Sequence, residues 1–365
     1  MFHHRIRLTA VLCAALLFTC PTDGRAAEFR AVLVDAGQVS QSTVREFADA
    51  GFHTIVLKLT TADGKQREQE SAAAKRILEA GLQLNYWIEI ARCPELADEH
   101  PEWMASLQGH PEWRRLHPDA PQPTQGQVIK NYPWVPILYH EASVAQLDRV
   151  KQLLSEIPPA AAVFLNGLQG APSACGCGNS LCRWTADYGP ILTATPIESG
   201  AAAKFVATVK QQHPACLIIP VWLTECEKHD CTPEGLCAGV GCFDGICWRA
   251  WEQQLTPLAE ENDLIGVFTP YKVFQRDLPR YGTTGGWVQE CIRSFEQMPV
   301  LHGGPAIPAN RLIPFLQGWD VTPEDLENQK RLVTDSGAAG YVVMKSPIDQ
   351  SWSPRLYQIP PDNKR

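Results

Sequence analysis

Several kinds of chemistry are excluded by motifs that this sequence of 365 residues does not contain. It has no G-x-G-x-x-G and no G-x-x-x-x-G-K-[ST], so neither a dinucleotide fold nor a phosphate loop is written in it. No Cys-x-x-Cys-His is present, which removes covalent haem attachment. The apolar segments carry no His-x-His pair, which ranks a metal-dependent hydrolase last. Past residue 27 no apolar run is long enough to cross a membrane. Basic residues are also in deficit, with 32 Lys and Arg against 40 Asp and Glu, so nucleic acid is not an expected partner.

What is present begins with residues 1–27, which read as a signal peptide. Arg5 and Arg7 form a basic start, Leu8–Phe18 is a short apolar stretch, and Gly24-Arg25-Ala26 offers a small-residue cleavage site. A secreted or periplasmic protein is therefore expected. The alternative, a lipoprotein site at Leu17-Phe18-Thr19-Cys20, is a poor fit because of Phe18 and Thr19. Cleavage after Ala26 takes bases from 32 to 29 and acids from 40 to 39, for a net charge of about −10.

Residues 28–365 alternate short apolar runs with amphipathic ones. The clearest unit is Arg311–Ser346. Leu312–Leu316 is an apolar run that ends at Gln317, Trp319 and Asp320. Thr322 caps a helix with Pro323 at its first position and Asp325 at its third, Gly337 closes it, and Tyr341–Met344 is the next strand. The same reading gives strands at Phe29–Val34, Thr54–Leu59, Leu84–Ile90, Ala160–Leu165, Leu217–Leu223 and Leu264–Phe268. Helices are expected over Ser42–Ala50, Gln66–Ala80, Val144–Ile157, Gly200–Gln212, Trp248–Glu261 and Trp287–Gln297. Eight β/α alternations favour α/β architecture as a single (β/α)8 TIM barrel over an open doubly wound sheet. Three insertions, 91–136, 170–189 and 225–247, each follow a strand and belong on the barrel's C-terminal face. The first is rich in Pro and Trp and carries His100-Pro-Glu-Trp103 and its echo His110-Pro-Glu-Trp113. Both histidines read as loop packing.

Of 13 cysteines, eight cluster in the other two insertions: Cys175, Cys177 and Cys182, then Cys226, Cys231, Cys237, Cys242 and Cys247. Consecutive strands are barrel neighbours, so the two loops should touch and share a staple. Export favours disulfides. The tight Cys175-x-Cys177 spacing and His229 keep a thiolate zinc site as the alternative, and no other cofactor is called for.

Strand alternation indicates which polar side chains face the lumen. Asn85, Trp87 and Glu89 share one face of their strand, and helices cover the other. The same parity turns Asp35 and Lys58 inward, and either Trp222 or Glu225. Tyr271, Gln317 and Lys345 end the last three strands. Lys58 and Lys345 are expected near Asp35, where two ammonium groups would suit an anionic sugar substituent.

Three stretches resemble bacterial glycoside-hydrolase-like TIM-barrel proteins. The first is Leu84–Arg92 followed by Pro94-Glu95-Leu96-Ala97 and His100-Pro-Glu-Trp103. The second is Phe164-Leu165-Asn166-Gly167-Leu168 followed by Cys175-x-Cys177-x4-Cys182-x-Trp184. The third is Pro314-Phe315-Leu316-Gln317 with Gly337-x2-Gly340-Tyr341. The resemblance implies a poly- or oligosaccharide ligand and two carboxyl groups flanking the scissile bond. Glu89 and Glu225 are the expected pair, with Asp35 and Asp320 in reserve. A separation of about 5–5.5 Å would suit retention and roughly 6.5–9.5 Å inversion. Trp87 and Trp222 are the expected stacking platforms, and Lys58, Asn166, Tyr271, Gln317 and Lys345 complete the binding set. Asn166 departs from the resemblance, because such proteins commonly carry an acid there. A carbohydrate-binding barrel without catalysis is therefore the rival expectation.

Overall fold

The computed structural model describes residues 29–60, 64–104, 118–137, 140–168, 200–223, 257–270, 284–301, 305–348 and 353–358. Eight parallel strands close into a barrel in the order β1-β2-β3-β5-β6-β7-β8-β9. They are β1 (Phe29–Val34), β2 (Thr54–Leu59), β3 (Gln83–Glu89), β5 (Ala162–Asn166), β6 (Leu217–Leu223), β7 (Ile265–Phe268), β8 (Leu312–Gln317) and β9 (Gly340–Met344). All eight lie within a residue or two of the expected runs. The helices are α1 (Gln41–Asp49), α2 (Gly64–Glu79), α3 (Pro94–Glu99), α4 (His140–Ser155), α5 (Ala201–Gln212), α6 (Thr284–Leu301) and α7 (Pro323–Asp335). None of the helices described is long and apolar enough to cross a membrane.

Local chemistry sets several boundaries. The Thr322 hydroxyl accepts from Asp325 N at 3.1 Å, Pro323 occupies the first helical position, and Gly337 ends α7 at φ 72°. Ser40 and Thr43 cap α1 in the same reciprocal way. Alternation then divides the apolar residues into two layers. Val32, Ile55, Leu57, Ile88, Ile218, Leu316 and Val343 pack outward against the helices. Ala31, Leu33, Val56, Trp87, Phe164, Val221, Phe315 and Met344 fill the lumen. Phe315 sits at its centre, edge-on to Trp87 at 4.8 Å and to Phe164 at 5.2 Å.

Helices also hold the C-terminal ends of the strands through buried polar side chains. After β2, Glu70 of α2 accepts from Thr60 N and Oγ1, both at 2.9 Å. After β3, Gln146 of α4 donates to Ile90 O at 2.6 Å, and Arg149 donates to Glu89 O at 2.7 Å. At β8, Gln329 of α7 both accepts from Gln317 N and donates to Gln317 O. Strand ends leave backbone groups unpaired, so these contacts fix the rim at which loops begin.

The insertion after β3 differs from the loop expected. It holds α3 and an additional strand, β4 (Gln127–Tyr132), which pairs antiparallel with β10 (Ser353–Gln358) near the C-terminus. The insertions 170–189 and 225–247, and with them all eight clustered cysteines, lie outside the described residues.

Candidate functional site

The site is built at the C-terminal rim around Glu89, the last residue of β3. Its Cα is paired with Asn166 on β5, and both side chains turn into the lumen above the aromatic fill. Glu89 is 8% exposed. Its Oε1 accepts from Trp87 Nε1 at 2.6 Å and from Asn166 Nδ2 at 3.1 Å, and its Oε2 accepts from Asn166 Nδ2 at 2.9 Å. Burial pushes the Glu89 carboxyl above the ordinary carboxylate range. The amide of Asn166, the indole of Trp87 and the charges of Lys58 and Arg92 pull it partly back. Oε1 carries two donors and Oε2 one, so Oε2 is the oxygen with room for a proton. Asn166 Oδ1 is buried without a hydrogen-bond partner among the described residues.

Beside this centre, Asp35 follows β1 and Lys58 lies on β2, with Nζ 3.7 Å from Asp35 Oδ1. Both are partly open, 48% for the Asp35 side chain and 23% for that of Lys58. Lys58 is the cross-strand partner of Trp87, two residues below Glu89. The second oxygen of Asp35 accepts from Ser346 Oγ at 3.0 Å.

Asp35, Lys58, Trp87 and Glu89 thus have the lumen parity expected of them, and Asn166 and Gln317 share it. Three expectations are corrected. Trp87 is 0% exposed and wedged against Phe315, so no ring face is open for stacking; it serves Glu89 as a donor and wall. Trp222 packs in the outer layer with Ile218 and Leu258, because Ile219 and Val221 are the lumen residues of β6. Lys345 is exposed: Met344 faces inward on β9, so the next residue points away and Ser346 reaches Asp35. Asp320 is exposed beyond β8, with φ 51°. Gln317 is buried and donates to Trp319 O at 3.0 Å. Glu225 and Tyr271 lie outside the described residues.

Sequence reasoning gave no role to two mouth residues. Trp319 packs half-buried against the lumen cluster, and Ser346 holds Asp35. Continuing the alternation Val342, Met344 by one step would have found Ser346. Among the described residues no group of three or more His, Cys, Asp or Glu side chains could hold a metal ion. Cys93 and Cys216 are free thiols.

No protein-family model matches the chain, and no curated protein sequence does. Solved structures do. The catalytic domain of a chitinase from Pyrococcus furiosus is 8% identical, with 86% of this chain and 82% of that one covered and a TM-score of 0.46. A GH5_18 protein from Streptomyces cattleya in complex with GlcNAc is 14% identical, covering 89% and 72%, with a TM-score of 0.43. An HpcH/HpaI aldolase from Desulfitobacterium hafniense is 11% identical, covering 87% and 86%, with a TM-score of 0.36. Function rests on the side chains of the site and not on the fold.

Proposed function

We propose that this chain is an exported protein of glycoside-hydrolase type acting on a poly- or oligosaccharide, with Glu89 as its proton donor. The observation that supports the reading is one carboxyl at the barrel mouth, buried on the Trp87 wall and shifted towards its protonated form. In the reaction, the proton on Glu89 Oε2 passes to the glycosidic oxygen as the carbon–oxygen bond breaks, and the sugar alcohol leaves. As that bond breaks, a second carboxylate either bonds to the anomeric carbon, giving a glycosyl-enzyme that water hydrolyses with Glu89 as base, or takes a proton from the water that bonds to that carbon. Glu225 is assigned that role, with Asp35, which pairs with Lys58 and accepts from Ser346, and Asp320 in reserve. Residues 1–27 would direct export, and the clustered cysteines would be disulfides, with zinc as the alternative.

The second reading is a saccharide-binding barrel without turnover. Asn166 favours it, since an amide stands where the resemblance calls for an acid. Turnover and binding measured on one broad glycan panel separate the two. Glu89→Gln should lower turnover by about 100- to 10,000-fold while binding persists. Wild-type turnover in that variant would remove Glu89 from the mechanism. A wild-type chain that binds sugars but cleaves none would establish the binding barrel.

A further inference from the structure

At the N-terminal end of the barrel, the end away from Glu89, a cavity of about 230 Å³ opens between the turns that lead into β5 and β6. Its floor is Tyr86 and Val163, which are Cα partners on β3 and β5 and face outward. One wall is the turn after α4, with Pro158 and Pro159, and the other is the turn His213–Cys216 before β6.

Size limits what can enter. A cavity of about 150 Å³ with apolar walls already holds benzene, while drug-sized molecules occupy roughly 300–1,000 Å³. At 230 Å³ the space fits a substituted benzene or an indole and is too small for a nucleotide. The walls are also stiff. Pro158, Pro159 and Pro214 have a fixed φ and no N–H, so the cavity is preformed and poor in donors.

The lining carries no charge at neutral pH. Burial holds the Tyr86 phenol well above its usual range, pushes the Cys216 thiol up to about 11 and lowers the His213 imidazole, so all three stay neutral. The charges that act on Tyr86, those of Arg67 and Glu70, face each other at 3.6 Å. Hydrogen bonds engage the polar atoms of both walls. Tyr86 OH donates to Pro158 O at 2.7 Å, and Cys216 N donates to His213 O at 3.0 Å. His213 Nε2 is the exception, buried without a partner among the described residues. Pairing it with one hydroxyl or N–H would recover the cost of its desolvation.

We propose that this cavity binds a small neutral aromatic molecule bearing one hydroxyl or N–H, of the size of phenol or indole. The ring lies between the proline walls, over Tyr86 and Val163, and its polar hydrogen is directed to His213. The site is separate from Glu89, at the end of the barrel opposite to the one where such folds place their catalysis, and it owes nothing to the saccharide reading. A side chain of a second copy is the rival occupant, because Leu217 is exposed beside Cys216.

The half-buried Cys216 thiol is the reporter. In the full-length chain its alkylation by N-ethylmaleimide is followed by mass spectrometry, with phenol, indole, toluene and benzoate as probes. Phenol and indole should bind with a Kd on the order of 0.1–1 mM and, at ten times Kd, slow the alkylation by about tenfold and raise the melting temperature by roughly 1–3 °C. Toluene, which lacks the polar hydrogen, should bind at least about threefold more weakly, and benzoate should give no protection. Ala215→Trp, at the exposed rim, and Ala160→Phe each put a ring into the cavity and should abolish the effect. His213→Phe should bring phenol down to the level of toluene. The proposal is overturned if neither phenol nor indole protects the wild type at about 10 mM, or if benzoate protects as well as they do. It is equally overturned if both cavity-filling variants keep the protection, or if phenol keeps its lead in His213→Phe. A concentration-dependent dimer that Ala215→Trp dissolves would give the cavity to a second copy instead.

Discussion

Glu89 and Asn166 stand opposite each other on neighbouring strands, and a single amide nitrogen of Asn166 reaches both oxygens of Glu89, at 3.1 and 2.9 Å. The contact holds the carboxyl in one plane whether or not it carries a proton. With Trp87 below, it turns a buried acid into an oriented one.

That orientation is accompanied by a pH signature in stability. Burial raises the folded pKa of Glu89 above the 4.5 of a free glutamate, so between those two values the native state holds a proton that the unfolded chain has released. Stability therefore falls as pH rises through that window and is level above it. Glu89→Gln removes the titration. Denaturant melts from about pH 4 upward should show a flatter profile for the variant than for the wild type.

Replacing the amide with an acid tests the neighbour. Asn166→Asp deletes the donor and sets a second carboxyl about 3 Å from the first, where both cannot ionise cheaply. We expect a loss of about 1–3 kcal/mol at neutral pH, with part of it recovered at pH 5 as the pair shares a proton. A variant as stable as wild type at both pH values would contradict this.

Lys130 offers a prediction in the insertion. It is fully buried, its Nζ donates to Glu102 O and Met104 O at 2.8 Å each, and burial lowers its pKa well below the usual ammonium range. Lys130→Met keeps the volume but leaves both carbonyls short of a donor. A loss of about 1–3 kcal/mol is expected, read as a lowered melting temperature and faster exchange at 101–104.

The barrel's closure hinges on Gly340, which has φ 143° and stands opposite Phe29 where β9 meets β1. A Cβ there would collide with Phe29 O and N, which are backbone atoms with nowhere to go. Gly340→Ala should cost about 3 kcal/mol or more, or abolish soluble expression. Gly37→Ala meets nothing within 4 Å and serves as the neutral control.

How much of this was legible beforehand follows from the range of each interaction. Period-two alternation within one strand places Asp35, Lys58 and Glu89 on the lumen side, since each pattern is only a few residues long. The caps of α7 and its Gly337 close are equally local. Trp222 and Lys345 fail for a reason of register. A strand whose two faces are both apolar offers no contrast to show which face is the lumen, and one residue of slip reverses every side chain. The ladder between β4 and β10 joins positions more than 200 residues apart, through a strand that is short, exposed and contains Pro354. No local period could announce it. The sequence by itself determined an eight-fold β/α barrel and the inward parity of Asp35, Lys58 and Glu89. Only the tertiary structure decided which aromatic rings are buried, which oxygen of Glu89 is crowded, and that β10 pairs with β4, because each depends on contacts between distant segments.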